Sequence, residues 1–276
     1  MPELPEVEVC RRGLLPELLG ARILGATVRQ PRLRHEVPAD LPEVLAGAHI
    51  LNVRRRGKYL LIDCTRANGG SGCLIVHLGM SGNLRFAPPG APPGKHDHVD
   101  IQLEKLILRY GDPRRFGLIL WHAGEQPEKH PLLASMGIEP LDEDFTVDWL
   151  HTAVAKRNAP IKPVLMDSHM VVGIGNIYAS ESLFRAGISP LRPAKRISRQ
   201  RYALLVPAIQ QTLQDAIAAG GSTIRDYVHS DGGAGCFQVD WAVYDRSGQP
   251  CTRCGNPIRQ IRQAGRSTFY CPCCQR

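Results

Sequence analysis

The sequence contains no long apolar run, and it does not open with a basic segment followed by an apolar one. A membrane-spanning helix needs about 18 or more apolar residues, and a secretory leader needs that basic-then-apolar order. Internal repeats and long low-complexity tracts are also missing. These absences predict a protein of the cytosol whose chain forms packed domains rather than a membrane anchor.

Acidic residues are too few to balance the basic ones. The net charge is +8 and the isoelectric point is about 9.1, which favours a polyanionic partner such as nucleic acid. With 276 residues the chain exceeds the usual size of one domain, so two domains are expected. Five of the nine cysteines fall after position 250. In a cytosolic chain such clustering indicates a metal site rather than a disulfide framework.

The hydrophobic pattern changes once along the chain. Up to about residue 121, after an opening helix at 3–19, short β-rich runs separated by Gly, Pro and Asn predict an antiparallel sandwich or barrel. Beyond a Pro- and Gly-containing stretch the period becomes helical. We predict a β-sandwich domain over 1–123, a linker over 124–140, a helical domain over 141–240 and a zinc finger over 241–276. The predicted strands are 23–28, 49–53, 59–64, 74–78, 98–103, 106–110 and 118–121, and the predicted later helices are 147–157, 160–167, 176–186, 198–219 and 223–229.

The terminal cysteines have the spacing of a structural zinc site. Two C-x2-C pairs, separated by sixteen residues, supply four thiolates and leave no position for a catalytic water. The predicted ligands are Cys251, Cys254, Cys271 and Cys274, with Cys273 as the alternative to Cys274. From Arg246 onward the module has six arginines and no acidic residue, so it should lie on phosphates. Arg266 stands at the tip of the expected hairpin.

The first six residues combine an amine with two carboxylates. If Met1 is removed, Pro2 carries a free amine with a pKa near 8, which can attack an electrophilic carbon. Glu3 follows at once, and Glu6 lies one helical turn later. The alternative is ordinary chemistry of a helix start, where Pro and acidic residues are favoured.

Two further patterns suit nucleic acid. Glycines before Asn176 would open a helix whose N–H groups can receive a phosphate, although Asn176 is equally a routine N-cap. Two glycine-bearing turns, 78–82 and 112–117, present Met80, Arg114 and Phe116 for insertion into a base stack. The alternative is that Met80 and Phe116 are core residues at the end of the sandwich.

Taken together, these motifs resemble bacterial formamidopyrimidine-DNA glycosylase, the 8-oxoguanine repair enzyme, over nearly the whole chain. The endonuclease VIII branch is similar but typically begins PEGPE, where this chain has PELPE. The resemblance rests on residues 2–8, 56–60, 77–82, 95–100, 112–117, 165–167 and 173–182 and on the terminal module with 266–270.

The resemblance implies an α+β protein: an N-terminal β-sandwich with flanking helices, then a helix–two-turn–helix domain ending in a zinc finger with one structural Zn²⁺. It implies a bifunctional glycosylase and AP lyase, a monomer acting on damaged double-stranded DNA at the bacterial nucleoid. Pro2 would form the Schiff base, Glu3 would transfer protons and Glu6 would order the site. Lys58 would assist β-elimination, and Arg266 δ-elimination. The implied DNA contacts are Met80, His96, Arg114, Phe116, Arg157 and Asn176.

Three departures from the family pattern bear on this interpretation. Arg157 stands where Lys is frequent, the loop 231–238 has small residues where the family covers the oxidised base, and the loop 68–72 is long. Two alternatives therefore stay open. One is an endonuclease VIII-like enzyme for oxidised pyrimidines, and the other is a non-catalytic zinc-finger DNA-binding protein.

Overall fold

The computed structural model describes residues 2–221 and 240–276. These residues form two compact units. The first contains residues 2–134 with Gly220 and Gly221, and the second contains Ser135–Ala219 with residues 240–276. The predicted helix over 223–229 and the predicted loop over 231–238 lie outside the described residues.

Two antiparallel four-stranded sheets make up the first unit. The strand order is 23–28, 97–103, 107–111, 83–87 in one sheet and 49–56, 59–65, 71–77, 118–123 in the other. Buried Leu, Ile and Val side chains from both sheets share one core with the apolar face of the first helix, so the unit is a sandwich with flanking helices, as predicted. The elements are α1 (Leu4–Leu18), β1 (Ile23–Val28), α2 (Leu41–Leu45), β2 (His49–Arg56), β3 (Tyr59–Thr65), β4 (Ser71–His77), β5 (Asn83–Ala87), β6 (Asp97–Leu103), β7 (Ile107–Gly111), β8 (Leu118–Ala123) and α3 (Pro131–Ala134).

The sequence pattern missed three of these elements. Strand β5 escaped prediction because its five residues include Asn83 and Arg85 and lie close to a Pro-rich loop. Helices α2 and α3 are short and contain Pro near their first turn. The segment over 124–140, interpreted as a linker, contains a 3₁₀ turn, Pro127–Lys129, as well as α3.

The second unit is helical and ends in a β-hairpin. Helix α7 (Arg199–Ala218) begins where Ser198 accepts a hydrogen bond from the Arg201 backbone, and it ends before Gly220 and Gly221, both with positive φ, as the sequence predicted. The hairpin turns through Ala264 and Gly265, which both have positive φ. Its elements are α4 (Val147–Val154), α5 (Ile161–Leu165), α6 (Asn176–Arg185), α7 (Arg199–Ala218), β9 (Arg259–Gln263) and β10 (Arg266–Tyr270), with a 3₁₀ turn at Ala194–Arg196.

No helix in the described ranges is both long enough and apolar enough to cross a membrane.

Candidate active site and nucleic-acid interface

The N-terminal residues are held tightly by the start of α1. The Glu3 backbone N–H donates to Glu6 Oε2 at 2.8 Å, and the Glu3 side chain accepts in return from the Glu6 backbone, which completes a capping box. Glu3 and Glu6 are 2% and 1% exposed, and Pro2 is buried. The segment is therefore both the start of a helix and a pair of buried carboxylates next to residue 2.

Lys58 lies in the two-residue turn between β2 and β3, where Arg56 pairs with Tyr59. Burial, together with the positive charges of Lys58 and Arg34, lowers the pKa of the neighbouring His77 to about 4. The His77 Nδ1 accepts a hydrogen bond of 2.9 Å from the Gly79 backbone. A neutral His77 therefore keeps its proton on Nε2, next to the turn that carries Met80.

The buried carboxylate of Asp112 organises the exposed apolar residues. One oxygen accepts from Ser81 Oγ at 2.7 Å and from the Arg114 backbone at 3.2 Å, while the other accepts from the Gly117 backbone at 2.9 Å. The Asp112 N–H donates to the His96 carbonyl at 2.9 Å. One residue thus joins the three segments that carry His96, Met80 and the Arg114–Phe116 pair.

Close backbone packing keeps the two turns together. A Cβ added to Gly79 would collide with the backbone of Phe116 and Gly117, so only glycine fits there. The Arg114 guanidinium lies 4.8 Å from the Phe116 ring centroid. Phe116 is 47% exposed and Met80 is 38% exposed. The alternative that these two are core residues of the sandwich is therefore wrong.

A second constellation surrounds a buried lysine in the helical unit. Lys162 is 1% exposed, and its Nζ donates to Asn176 Oδ1 at 2.7 Å, Thr268 Oγ1 at 2.8 Å and the Ser267 carbonyl at 3.0 Å. These partners come from α6 and from β10, so the ammonium ties the helix to the hairpin. Gly175 is the N-cap of α6, and Asn176 is its first residue, so the interpretation of Asn176 as an ordinary N-cap is wrong.

A cavity of about 210 Å³ opens beside this lysine. Asn176 and Arg266 both line it, which places a predicted DNA contact next to the residue predicted to assist δ-elimination. Arg266 is the first residue of β10 and pairs with Gln263 across the hairpin turn. Arg157 is exposed, and it forms a long ion pair of 3.9 Å with Asp167.

The four predicted zinc ligands converge. Their sulfur atoms all lie within 4.8 Å of one another, with Cys254 and Cys271 Sγ 3.5 Å apart and Cys251 and Cys274 Sγ 3.9 Å apart. Tetrahedral Zn²⁺ with Zn–S bonds of about 2.3 Å requires sulfurs about 3.8 Å apart, so the geometry fits. Cys274 is in the cluster, while Cys273 is exposed and outside it.

Sequence reasoning missed the buried polar residues that support these sites. Lys162 was one basic residue among several, and Asp112 was only part of a motif. Glu181 lies within the motif 173–182 and was given no role, yet its carboxylate accepts the backbone N–H groups of Ala242, Val243 and Tyr244 at 2.8–3.0 Å, where the zinc module begins. The available signal was a single carboxylate among the small, aromatic and aliphatic residues 177–184 of a predicted helix.

Comparison with known proteins identifies the family. Residues 1–119 match the formamidopyrimidine-DNA glycosylase N-terminal domain, 136–228 match the formamidopyrimidine-DNA glycosylase H2TH domain, and 248–276 match the zinc finger found in FPG and IleRS. The formamidopyrimidine-DNA glycosylase of Dechloromonas aromatica is 67% identical over 277 residues, covering both chains completely. The chain belongs to the formamidopyrimidine-DNA glycosylase family.

Solved structures agree with this membership. Lactococcus lactis Fpg in complex with DNA containing an abasic site matches with a TM-score of 0.88 and 36% identity over 99% of each chain. The MutM (Fpg) protein of Thermus thermophilus matches with a TM-score of 0.86 and 38% identity, over 99% of this chain and 98% of that one. The predictions of the fold, of a DNA-binding glycosylase and AP lyase of this family, and of one structural zinc are therefore confirmed.

Proposed function

We propose that this family member removes oxidised purines, 8-oxoguanine and formamidopyrimidines, from duplex DNA through a Schiff base at Pro2 followed by β,δ-elimination. The observation that carries the proposal is the capping box at the N-terminus. It holds Glu3 and Glu6, both buried, directly beside residue 2. A capping box alone does not require buried carboxylates, and burying two of them costs free energy, which is expected at a catalytic site more than at a purely structural helix start.

Removal of Met1 is the first requirement of this chemistry. The Pro2 nitrogen then attacks C1′ of the damaged nucleotide and loses its proton, while the glycosidic bond breaks and the base leaves. The C1′–O4′ bond then breaks as O4′ takes up a proton, which opens the sugar and leaves an iminium between C1′ and the Pro2 nitrogen. This iminium acidifies the C2′ proton. Loss of that proton expels the 3′ phosphate, which is β-elimination, and a second elimination expels the 5′ phosphate. Glu3 is the proton-transfer group, and Glu6 holds the Glu3 backbone in place through the hydrogen bond of 2.8 Å.

The residues that bind phosphate have different roles in the proposed reaction. Lys58 assists β-elimination and binds phosphate. Asn176 and Arg266, which line one cavity, bind the phosphates that flank the lesion, and Arg266 assists the second elimination. The Lys162 ammonium uses Asn176 Oδ1 as an acceptor, which leaves the amide Nδ2 to donate to a phosphate oxygen. Arg157 and His96 are both exposed, and they contact the phosphate backbone of the DNA.

The two exposed turns replace the extruded base. Met80 and Phe116 are the apolar side chains that enter the stack, and Arg114, held against the Phe116 ring, faces the orphan base. Extrusion costs a few kcal/mol, which the inserted side chains and the phosphate contacts offset. The Asp112 network supports this role because it rigidifies a turn whose side chains are exposed.

Borohydride trapping tests the proposal. The full chain with a free Pro2 amine is expected to form a covalent adduct with duplex DNA containing 8-oxoguanine opposite cytosine, mapped to Pro2 by peptide sequencing. A chain that retains Met1 should bind the same DNA but form no adduct. Trapping that persists with Pro2 blocked, or its complete absence from the unblocked protein, would contradict the proposal and favour the non-catalytic alternative.

Lesion preference needs its own measurement. Single-turnover rates on matched duplexes with 8-oxoguanine or an oxidised pyrimidine are expected to favour the purine. The opposite order would support the endonuclease VIII-like alternative. We also propose that the enzyme acts as a monomer in the cytoplasm, and sedimentation at working concentration checks the oligomeric state.

A further inference from the structure

The carboxylate of Glu8, on α1, forms ion pairs with two arginines of its own helix and with one arginine of strand β2. Glu8 Oε1 lies 2.8 Å from Arg11 Nη2 and 2.9 Å from Arg12 Nε, and Oε2 lies 3.3 Å from Arg55 Nε. Burial raises the pKa of Glu8, but hydrogen bonds from Arg11 and Arg12 outweigh it and lower the pKa to about 2. Glu8 is therefore charged at any pH at which the enzyme works.

Arg55 continues this contact into the turn that carries Lys58. Its Nη1 donates to the Gly57 carbonyl at 3.0 Å, while its Nε faces Glu8. Gly57 has a φ of 56° and is followed by Lys58 as the second residue of the two-residue turn, the order of a type II′ hairpin. The Gly57 carbonyl belongs to the peptide bond that leads into Lys58, so the guanidinium restrains the backbone from which the lysine extends.

We propose that Glu8 and Arg55 are positioning residues that aim Lys58 at the reacting nucleotide. The inference rests on the proposed function, in which Lys58 assists β-elimination. The position of the lysine side chain depends on the orientation of the Gly57–Lys58 peptide, because a small rotation there moves the distant ammonium. The Arg55 fork fixes that orientation because one planar group is held by a carboxylate and holds a carbonyl at the same time. Lysine at position 55 has no such fork and cannot make both contacts in the same geometry.

The relevant contrast is with Arg54, the preceding residue of β2. Successive residues of a strand point to opposite faces. Arg54 accordingly makes two bonds to Asp63, of 2.6 and 2.9 Å, and one of 2.6 Å to Glu128, all away from the turn. Both arginines are paired with carboxylates, but the Gly57 carbonyl accepts from Arg55.

The test separates the two chemical steps. In single-turnover reactions on 8-oxoguanine duplex, Arg55→Lys is expected to slow β-elimination about ten- to a hundredfold, the penalty of a misplaced catalytic group. Base release should stay within about twofold, since the proposed function assigns that step to Pro2 and Glu3. DNA affinity should fall by no more than the loss of the one Lys58 phosphate contact. Glu8→Gln, which keeps the side-chain shape, should show the same split with a smaller loss. Arg54→Lys is the matched control and should leave both steps unchanged.

A double-mutant cycle decides whether the effect passes through Lys58. In a Lys58→Ala background, Arg55→Lys should add less than about twofold. Additive losses would overturn the proposal, as would elimination by Arg55→Lys at the rate of the unmodified enzyme, or equal slowing of base release. If Arg55→Lys does not fold, Glu8→Gln in the same cycle distinguishes the same outcomes. If instead the proposed function is wrong, the unmodified enzyme itself will form no borohydride adduct, which distinguishes that failure from a failure of the positioning role.

Discussion

Asp112 and Lys162 are both buried and charged, and they organise their two units in opposite ways. Asp112 is an anion that collects backbone and hydroxyl donors, and it joins two turns of the sandwich unit. Lys162 is a cation that donates to oxygens, and it joins a helix to a hairpin. In each case the charge is inside and the residues predicted to contact DNA lie around it.

Asp112 and Lys162 differ in the structure that holds their hydrogen-bond partners in place. The turns around Asp112 each connect a strand of one four-stranded sheet to a strand of the other, and glycines let their backbones touch. The oxygens around Lys162 belong partly to a two-stranded hairpin, which is too small to be stable alone. Zinc must supply the rigidity that the sheet supplies elsewhere. The comparison can be tested by removing each support in turn.

Loss of zinc should have the largest effect of these changes, and it should act on the helical unit without affecting the turns around Asp112. Chelation, or Cys251→Ser, is expected to disorder the hairpin that carries Ser267, Thr268 and Arg266, and to lower DNA affinity at least about tenfold. Hydrogen exchange at the Gly117 amide, which donates to Asp112, should not change. Metal analysis and exchange mass spectrometry check both parts. Faster exchange in the Asp112 turn would refute the contrast between the two units.

Lys162→Met should destabilise the helical unit by about 2–4 kcal/mol. The substitution leaves three oxygen acceptors without their donor, and each unsatisfied buried group costs about 1–3 kcal/mol, partly offset because a buried charge is also removed. Urea unfolding measures the loss. The control is Lys156→Met, an exposed lysine nearby in the sequence, for which a change within about 0.5 kcal/mol is expected. Equal effects of the two substitutions would mean that the buried ammonium does not organise the site.

His77 should make the sandwich unit sensitive to acid above the range in which its carboxylates titrate. Because the pKa of His77 is about 4 in the folded chain, against about 6.5 unfolded, only the unfolded chain takes up this proton between those values. Stability is therefore complete above pH 6.5 and falls, by roughly 2–3 kcal/mol, as the pH drops towards 4. Glu8, with its pKa of about 2, contributes an additional loss only below about pH 4.5.

The measurement is the free energy of unfolding at several pH values. His77→Asn keeps an acceptor for the Gly79 N–H but has no proton to gain, so its stability should be flatter between pH 6.5 and 4. A variant with the same slope as the unmodified protein would assign the acid sensitivity to another group.

Phe116→Ala should have the smallest effect on stability and should still impair repair. With 47% of the residue exposed, we expect the free energy of unfolding to change by less than about 0.5 kcal/mol. Base release from duplex should fall about tenfold or more, since the stack is no longer filled. Release from a lesion in single-stranded DNA, where no stack opposes extrusion, is the control. Equal losses on both substrates would exclude the wedge role.

Local patterns were sufficient for much of the molecule. The C-x2-C pairs predicted a four-sulfur cluster, Ser198 and the glycines after α7 predicted both ends of that helix, and short β-rich runs predicted seven of the eight strands of the sandwich unit. Each of these signals depends on residues only a few positions apart, so it can be recognised without knowledge of the fold. The motifs spread along the chain, from residues 2–8 to the terminal cysteine module, were likewise enough to indicate the family.

Only the folded chain could show which polar residues support those motifs. Lys162 and Thr268 are 106 positions apart, and Arg29 and Asp100, which form an ion pair of 2.6 Å, are 71 apart. The exposure of Met80 and Phe116 also depended on tertiary structure, since an apolar residue on a turn can face the core or the solvent. The Asp112 carboxylate accepts hydrogen bonds from both turns in the conformation that leaves these two side chains exposed. Charge burial and long-range pairing are properties of packing, and no local pattern encodes them.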